Sequence, residues 1–281
     1  MNADLHCHSR VSDGSLTVSE LAAYAKRRGI HTLAFAEHDT TAGWHEAEKE
    51  CRKQGLRHIP AIEISAYDYK RMRKAHVLGY LMDRPEAVSL ACQPMVAQRQ
   101  ETAKWMVAVL ADAGYPLTWE LVESLAAGST NVYKQHVMHA LMELGFAVSI
   151  HDELYCQLFA PPRDGRPGGI AYREIEYLDA AAAVSAIKNS GGISVLAHPA
   201  GYGNLELVPE LIDAGLDGLE AWHPLHDAAA VKEIEELARR YDLLLTGGSD
   251  FHGMYEGKRN PVGSCLTPPE WLEALFNRKA S

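Results

Sequence analysis

Seven short apolar stretches, at residues 3–8, 32–36, 59–65, 75–81, 194–197, 218–221 and 243–246, are spread along the chain, and nearly all run into a histidine or a carboxylate. Stretches of this length, alternating with helical periodicity, predict strands in βα units. Helices are expected at 18–28, capped by Thr17 or Ser19, at 40–55 from Thr40 or Thr41, and at 178–189, 207–214 and 228–241. An open doubly wound sheet gathers its ligands at one crevice, whereas barrel enzymes draw on the carboxyl ends of many strands. The pattern therefore predicts an α/β fold, a distorted (β/α)7 barrel with its site at the carboxyl ends of the strands.

One strand departs from the rule. His76 stands at the start of 75–81, so a hairpin through the basic run Lys70, Arg71, Arg73 and Lys74 would make this strand antiparallel and return His76 beside Glu63. The run itself reads as a solvated tip, although its nearness to His76 leaves room for substrate steering. From residue 85 to 167 helical periodicity takes over, around 96–113, 118–126, 132–144 and 151–158, and ends in a loop at 161–169 too rich in Pro and Gly for regular structure. Residues 1–84 and 168–281 are expected to form the barrel and 85–167 a helical insertion that serves as its lid.

The candidate ligands are His6, His8, Asp13, His38, Glu63, His76, His198, Asp250 and His252. His6 and His8 share one face of an extended segment, and Asp13 precedes the turn residue Gly14. A catalytic site needs about three protein ligands per ion, so this set suffices for two or three ions with Glu63 as a natural bridge. Mixed imidazole and carboxylate ligation suits Zn, Mn or Fe without choosing among them. His136 and His139 also share a helix face, but with no partner carboxylate they read as packing or surface residues.

With 27 basic against 37 acidic residues and a net charge of −10, the chain lacks the footprint of a duplex-binding protein. A small ligand is expected. Five scattered cysteines form no CxxC pair, which suits a reducing cytoplasm, and no apolar run approaches the roughly 20 residues needed to span a bilayer. No membrane partner is expected.

The motifs His6-Cys7-His8 with Ser12-Asp13-Gly14, Glu37-His38-Asp39, Glu63-Ile64-Ser65, His76, Ala197-His198-Pro199 and Ser249-Asp250-Phe251-His252 resemble the polymerase and histidinol phosphatase (PHP) family of metal-dependent phosphoesterases. The likeness spans nearly the whole chain outside the insertion. It is strongest to the standalone branch acting on nucleoside 3′,5′-bisphosphates, 5′-nucleotide ends and cyclic ribose phosphates. Departures are mild: Glu37 stands where Asp is common and Cys7 where an aromatic is frequent.

The resemblance implies three divalent metal ions. His6, His8, Glu63 and Asp250 would hold the first, Glu63, His76 and His198 the second, and Asp13, His38 and His252 the third. A metal-activated hydroxide would attack phosphorus in line, with Glu63 and Asp250 in the catalytic centre. His223 would protonate the leaving group, with His226 a weaker choice. Arg99, Lys134 and His223 would bind substrate phosphate, although many relatives carry Arg where Lys134 sits. The expected activity is hydrolysis of a small phosphorylated ribose or nucleotide. The alternatives are a 5′-3′ exonuclease or oligoribonuclease, a histidinol phosphatase, or a metal-dependent interaction module, which the complete ligand set disfavours.

Overall fold

The computed structural model describes residues 2–163, 165–256 and 260–280, so residue 164 of the Pro/Gly-rich loop lies outside the described residues. In chain order the first elements are β1 (Ala3–Cys7), α1 (Val18–Arg27), β2 (Thr32–Phe35), α2 (Trp44–Gln54), β3 (Arg57–Ile64), β4 (Ala66–Asp68), β5 (Arg73–Lys74) and β6 (Val77–Tyr80). There follow α3 (Pro85–Asp112), α4 (Trp119–Leu125), α5 (Lys134–Glu143), α6 (Glu153–Phe159), β7 (Leu178–Asp179) and α7 (Ala180–Asn189). The chain continues through β8 (Ile193–Leu196), α8 (Val208–Asp213), β9 (Gly218–Trp222), α9 (Ala228–Tyr241), β10 (Leu244–Gly247) and α10 (Pro269–Ala280).

Seven strands form one sheet in the order β1-β2-β3-β6-β8-β9-β10. All neighbours are parallel except β6, which is antiparallel to both β3 and β8, as the position of His76 predicts. The outer strands curl towards each other and meet: Asp250 N donates to His6 O and His8 N to Phe251 O, each at 2.8 Å, and Thr267 N donates to Ala3 O at 2.9 Å. The result is a nearly closed barrel. Leu5, Ala34, Ile59, Ala61, Leu78, Tyr80, Val195 and Leu244 form one buried cluster inside it, with Leu272 and Leu275 of α10 against it. The small residues at Ala34, Ala61 and Ala197 suit a narrow interior.

Helices cover the outer face. The capping box at Thr17 and Glu20 starts α1, and α9 opens on Asp227, whose side chain accepts from Ala230 N. Helix α3 is longer than the periodicity predicts, because it begins at Pro85 and runs through Pro94. Proline at the first helical position is favourable, and Leu90, whose carbonyl Pro94 leaves without a helical donor, is exposed to water. The start of α3 buries Val88 and Cys92 with α7 and the sheet, while its later part joins α4–α6 in a second cluster around Leu110, Val137, Leu141 and Phe159. Helix α2 starts at Trp44, later than expected, because residues 40–43 are a turn after Asp39, whose φ is +60°. The hairpin β4–β5 forms, its turn held by Asp68 Oδ1, which accepts from Lys70 N and Arg71 N. Among the described residues no helix is long and apolar enough to cross a membrane.

Two buried imidazoles outside the strand ends set a stability expectation. Burial lowers His58 in β3 and His136 in α5 to about 4, against an ordinary value near 6.5. The folded chain thus binds fewer protons than the unfolded one between these values. Their contribution is present above pH 6.5 and lost as pH falls towards 4, by up to about 3 kcal/mol for each ring. Urea midpoints at pH 7.5 and pH 5 should show His58→Gln losing less stability on acidification than the parent chain; equal losses would remove His58 from the account.

Candidate metal centre

Glu63 is the hub. In β3 the residues Ile59, Ala61 and Glu63 share one face, so the carboxylate sits inside the barrel, at the strand's carboxyl end, and is 1% exposed. His6 and His8 reach the same point through an irregularity. The β1–β2 ladder pairs Asp4 with Leu33 but Cys7 with Phe35, so β1 carries one extra residue. This bulge leaves both Leu5 and His6 facing inward, with Cys7 packed outside in the cluster around α1.

Four atoms converge there. His6 Nε2 lies 3.3 Å from Glu63 Oε2 and 3.3 Å from Asp250 Oδ1; His8 Nε2 lies 3.3 Å and 3.2 Å from the same two oxygens. Ligands held tetrahedrally at about 2.0–2.1 Å from a zinc-sized ion are about 3.3–3.4 Å apart. His6 Nε2, His8 Nε2 and Asp250 Oδ1 are buried and have no hydrogen-bond partner among the described residues. Converging orphaned lone pairs at this spacing fit a cation.

The other face of Glu63 carries a second group: Oε1 lies 2.8 Å from His76 Nδ1 and 2.9 Å from His198 Nε2. A third gathers on Asp13, whose Oδ1 is 3.4 Å from His252 Nε2 and whose Oδ2 is 3.9 Å from His38 Nε2. His38 faces both ways, because its Nδ1 is 3.3 Å from Glu63 Oε2. His8 Nδ1 also approaches Asp13, at 3.8 Å. All nine expected ligands are thus brought together.

Their electrostatics follow from crowding. Burial would push the Glu63 carboxyl up, but the imidazoles of His38, His6 and His76 hold it well below the usual range. Asp250 is held down in the same way, against burial, by His6 and His252. Burial takes His38 down to about 4, while for His252 Asp13 and Asp250 outweigh burial and raise it to about 10. Such a nest of buried carboxylates needs positive charge at its centre.

The strand ends are locally strained where they aim ligands. His198 and Asp250 have φ of +30° and +51°, in a region that non-glycine residues avoid. Val195 and Ala197 face the interior, so the turn at His198 is what brings the next side chain inward as well.

Sequence reasoning missed several supporting groups. Glu220, in the middle of β9 and 0% exposed, accepts from His6 Nδ1 at 2.9 Å and from His198 N at 2.8 Å. Glu37 binds the Ser9 and Ser12 amides at 3.1 Å and both hydroxyls, which fixes the loop carrying Asp13. Asp39 accepts from Ser65 N at 2.7 Å and Arg99 Nη2 at 2.7 Å. The detectable signal was a charged residue inside an apolar strand or directly beside a motif histidine.

Above the centre lies a cavity of about 340 Å³, lined by Asp13, His38, Glu63, His76, His198, Asp250 and His252 below and by residues of α3, α5 and α6 above. Arg99 and Lys134 both line it, Arg99 with a buried Nη1 that has no partner among the described residues. Lys74 lines it too, unlike the rest of the hairpin run: Lys70 pairs with Glu210 at 2.9 Å, Arg71 with Asp68 at 2.9 Å and Arg73 with Glu206 at 3.0 Å. His223 is placed differently. Its Nδ1 accepts from Leu225 N at 3.1 Å and its Nε2 lies 3.2 Å from Asp250 Oδ2, behind the cavity wall. His226 is bound to Ala221 O at 2.9 Å. His136 Nδ1 accepts from Tyr133 N and His139 meets the Tyr255 hydroxyl, each at 3.0 Å, which gives both packing roles.

The sequence profile of the PHP domain matches residues 4–189. The chain belongs to the PHP family. It is 40% identical to a phosphoribosyl 1,2-cyclic phosphate 1,2-diphosphodiesterase of Eggerthella lenta, over 91% of this chain and 95% of that one. It is 31% identical to a 5′-3′ exoribonuclease of Haemophilus influenzae, over 89% of each chain. Among solved structures, a Bifidobacterium adolescentis protein assigned as a metal-dependent phosphoesterase superposes with a TM-score of 0.86 at 31% identity, covering 98% of this chain and 95% of that one.

As a PHP protein the chain is a phosphoric ester hydrolase that works with divalent metal. The geometry agrees with that chemistry: the side chains expected to be ligands converge, and cationic side chains line the same cavity.

Proposed function

We propose that this PHP protein hydrolyses a small phosphorylated ribose or nucleotide, such as a cyclic ribose phosphate or a nucleoside 3′,5′-bisphosphate. The observation that carries the reading is the 340 Å³ cavity, lined by Val132, Tyr133 and Tyr155 and by the cations Arg99, Lys134 and Lys74 together with the ligand cluster. A pocket of this size is at the small end of ligand sites, and Lys74, Lys134 and the Nη1 end of Arg99 match a substrate with phosphate to spare.

Three divalent ions, Mn, Zn or Fe, would be held by His6, His8, Glu63 and Asp250, by Glu63, His76 and His198, and by Asp13, His38 and His252. When bound, such ions supply a nucleophile at neutral pH and neutralise the phosphoryl oxygens. The rest falls to side chains. Arg99 is oriented by Asp39 through Nη2 and offers Nη1 to a phosphate oxygen. His223 accepts from Leu225 N at Nδ1 and donates from Nε2 to Asp250 Oδ2, which orients that carboxylate; service as the leaving group's acid would require its imidazolium form. Residues 85–167 act as the lid over a barrel of 1–84 and 168–281. The five free cysteines suit a cytoplasmic location.

Hydrolysis of a cyclic ribose phosphate, a nucleoside 3′,5′-bisphosphate, histidinol phosphate and a 5′-phosphorylated oligonucleotide, followed by chromatography of the phosphate, ring-opened monoester or mononucleotide formed, tests the reading. The small ribose esters should give the highest kcat/KM. A preference for the oligonucleotide would replace it with the exonuclease reading that the Haemophilus relative suggests.

Lys134 adds a pH signature. Burial, with Phe159 and Tyr172 beside it and Lys74 in reach, lowers its ammonium to about 8. Its attraction for phosphate is therefore present below pH 8 and lost above it, and kcat/KM should fall about tenfold between pH 7 and 9.5, the scale of one charge-assisted hydrogen bond. Lys134→Arg should flatten that limb, since guanidinium stays charged. A limb unchanged in the variant would assign it to another group.

A further inference from the structure

The His6 ring has two nitrogens with different neighbours. Nε2 points into the four-atom cage, without a hydrogen-bond partner, and Nδ1 points away from it to Glu220 Oε1 at 2.9 Å. The second oxygen of Glu220 accepts from the backbone N–H of His198 at 2.8 Å. One carboxylate on β9 thus touches residues from the ends of β1 and β8, each expected to serve a different ion.

We propose that Glu220 is the positioning residue that fixes the His6 tautomer, holding the proton on Nδ1 so that the Nε2 lone pair is free for a metal ion, and ties the His198 turn into the same network. A carboxylate is acceptor-only when ionised, so an imidazole facing it donates. That leaves Nε2 as the acceptor, directed at the cage. The dependence of a metal-bound histidine on the carboxylate behind it is general physics of such sites; the assignment of Glu220 to that role comes from the two contacts. The inference rests on the cage being a metal site.

Glutamine at this position is nearly isosteric and chemically wrong. Its amide offers one acceptor and one donor group to two partners that both donate. The His198 backbone N–H has no alternative state, but the imidazole has. The least unfavourable arrangement gives the amide oxygen to His198 N and turns the NH2 to His6, which must then accept at Nδ1 and carry its proton on Nε2. A proton there blocks the cage.

Zinc titration by competition and nitrogen-15 NMR of the histidine rings test this in the zinc-loaded full chain. In the parent protein His6 should carry its proton on Nδ1, with Nε2 unprotonated. Glu220→Gln should bind zinc at the cage about 10- to 100-fold more weakly, the usual effect of losing such a support. Without zinc its His6 proton should move to Nε2. A merely structural Glu220 would lower the melting temperature and leave both readouts in place. Wild-type zinc affinity in Glu220→Gln, or a parent spectrum with His6 protonated on Nε2, overturns the inference; the parent spectrum decides even if the variant does not fold. Asp250→Ala separates the two levels. If it keeps full zinc affinity the cage reading fails, whereas if it loses zinc and Glu220→Gln does not, only the role of Glu220 fails.

Discussion

Alanine at Glu63 is expected to abolish metal-dependent hydrolysis while the chain stays folded. Glu63 Oε2 faces His6, His8 and His38, each at 3.3 Å, and Oε1 faces His76 and His198 at 2.8 and 2.9 Å. No other single change removes a ligand from two proposed ions together. With each ion worth several kcal/mol to the transition state and about 1.4 kcal/mol per tenfold in rate, kcat should drop by roughly four orders of magnitude. The fold should survive because Leu5, Ile59, Leu78 and Val195, which fill the barrel, are untouched. Turnover at saturating Mn, bound-metal stoichiometry and thermal melting check this together. Turnover within tenfold of the parent would remove Glu63 from the centre of the mechanism.

The second large effect is steric. Gly248 lies where the end of β10 passes β1, and a Cβ placed there would collide with the backbone nitrogen and Cβ of His6. Neither can swing aside as the tip of a flexible side chain can. Gly248→Ala should force the strands apart, break the bond from Asp250 N to His6 O, and cost about 3 kcal/mol or more, the upper range for overpacking. Activity should fall with it, since Asp250 would leave the cage. Gly43→Ala provides the contrast: the nearest atoms to its Cβ belong to the Val11 side chain, a methyl group at 3.0 Å first, and it should cost under about 1 kcal/mol. Equal urea midpoints for the two variants would show that the barrel does not depend on this close approach.

Much of the architecture could be read from the chain because its signals are local. The strands are short apolar runs, and the reversal at β6 was visible in His76 standing before its strand instead of after it. Other features depend on distant partners. Glu220 between Leu219 and Ala221 reads as a solvent-facing position until His6, 214 residues away, is seen against it. Lys74 belongs by composition to a solvated basic tip, but the hairpin register turns it into the cavity while Lys70 and Arg71 find Glu210 outside. The bulge that faces His6 inward is a misfit between two strands, and neither shows it alone. For Pro94 a breaker was present, and exposure of Leu90 made it harmless.

The seam between β1 and β10 has a consequence for how the protein comes into being. His6 and His8 leave the ribosome long before Asp250, the residue that completes their cage. Until then the early histidines have no partner across the seam, and Glu63 alone cannot close the site. Contacts so remote in sequence form late and slowly. On the proposed ligand assignment a chain cut short of Asp250 is expected to show no hydrolysis, because the site is completed only when the sheet joins its own two edges.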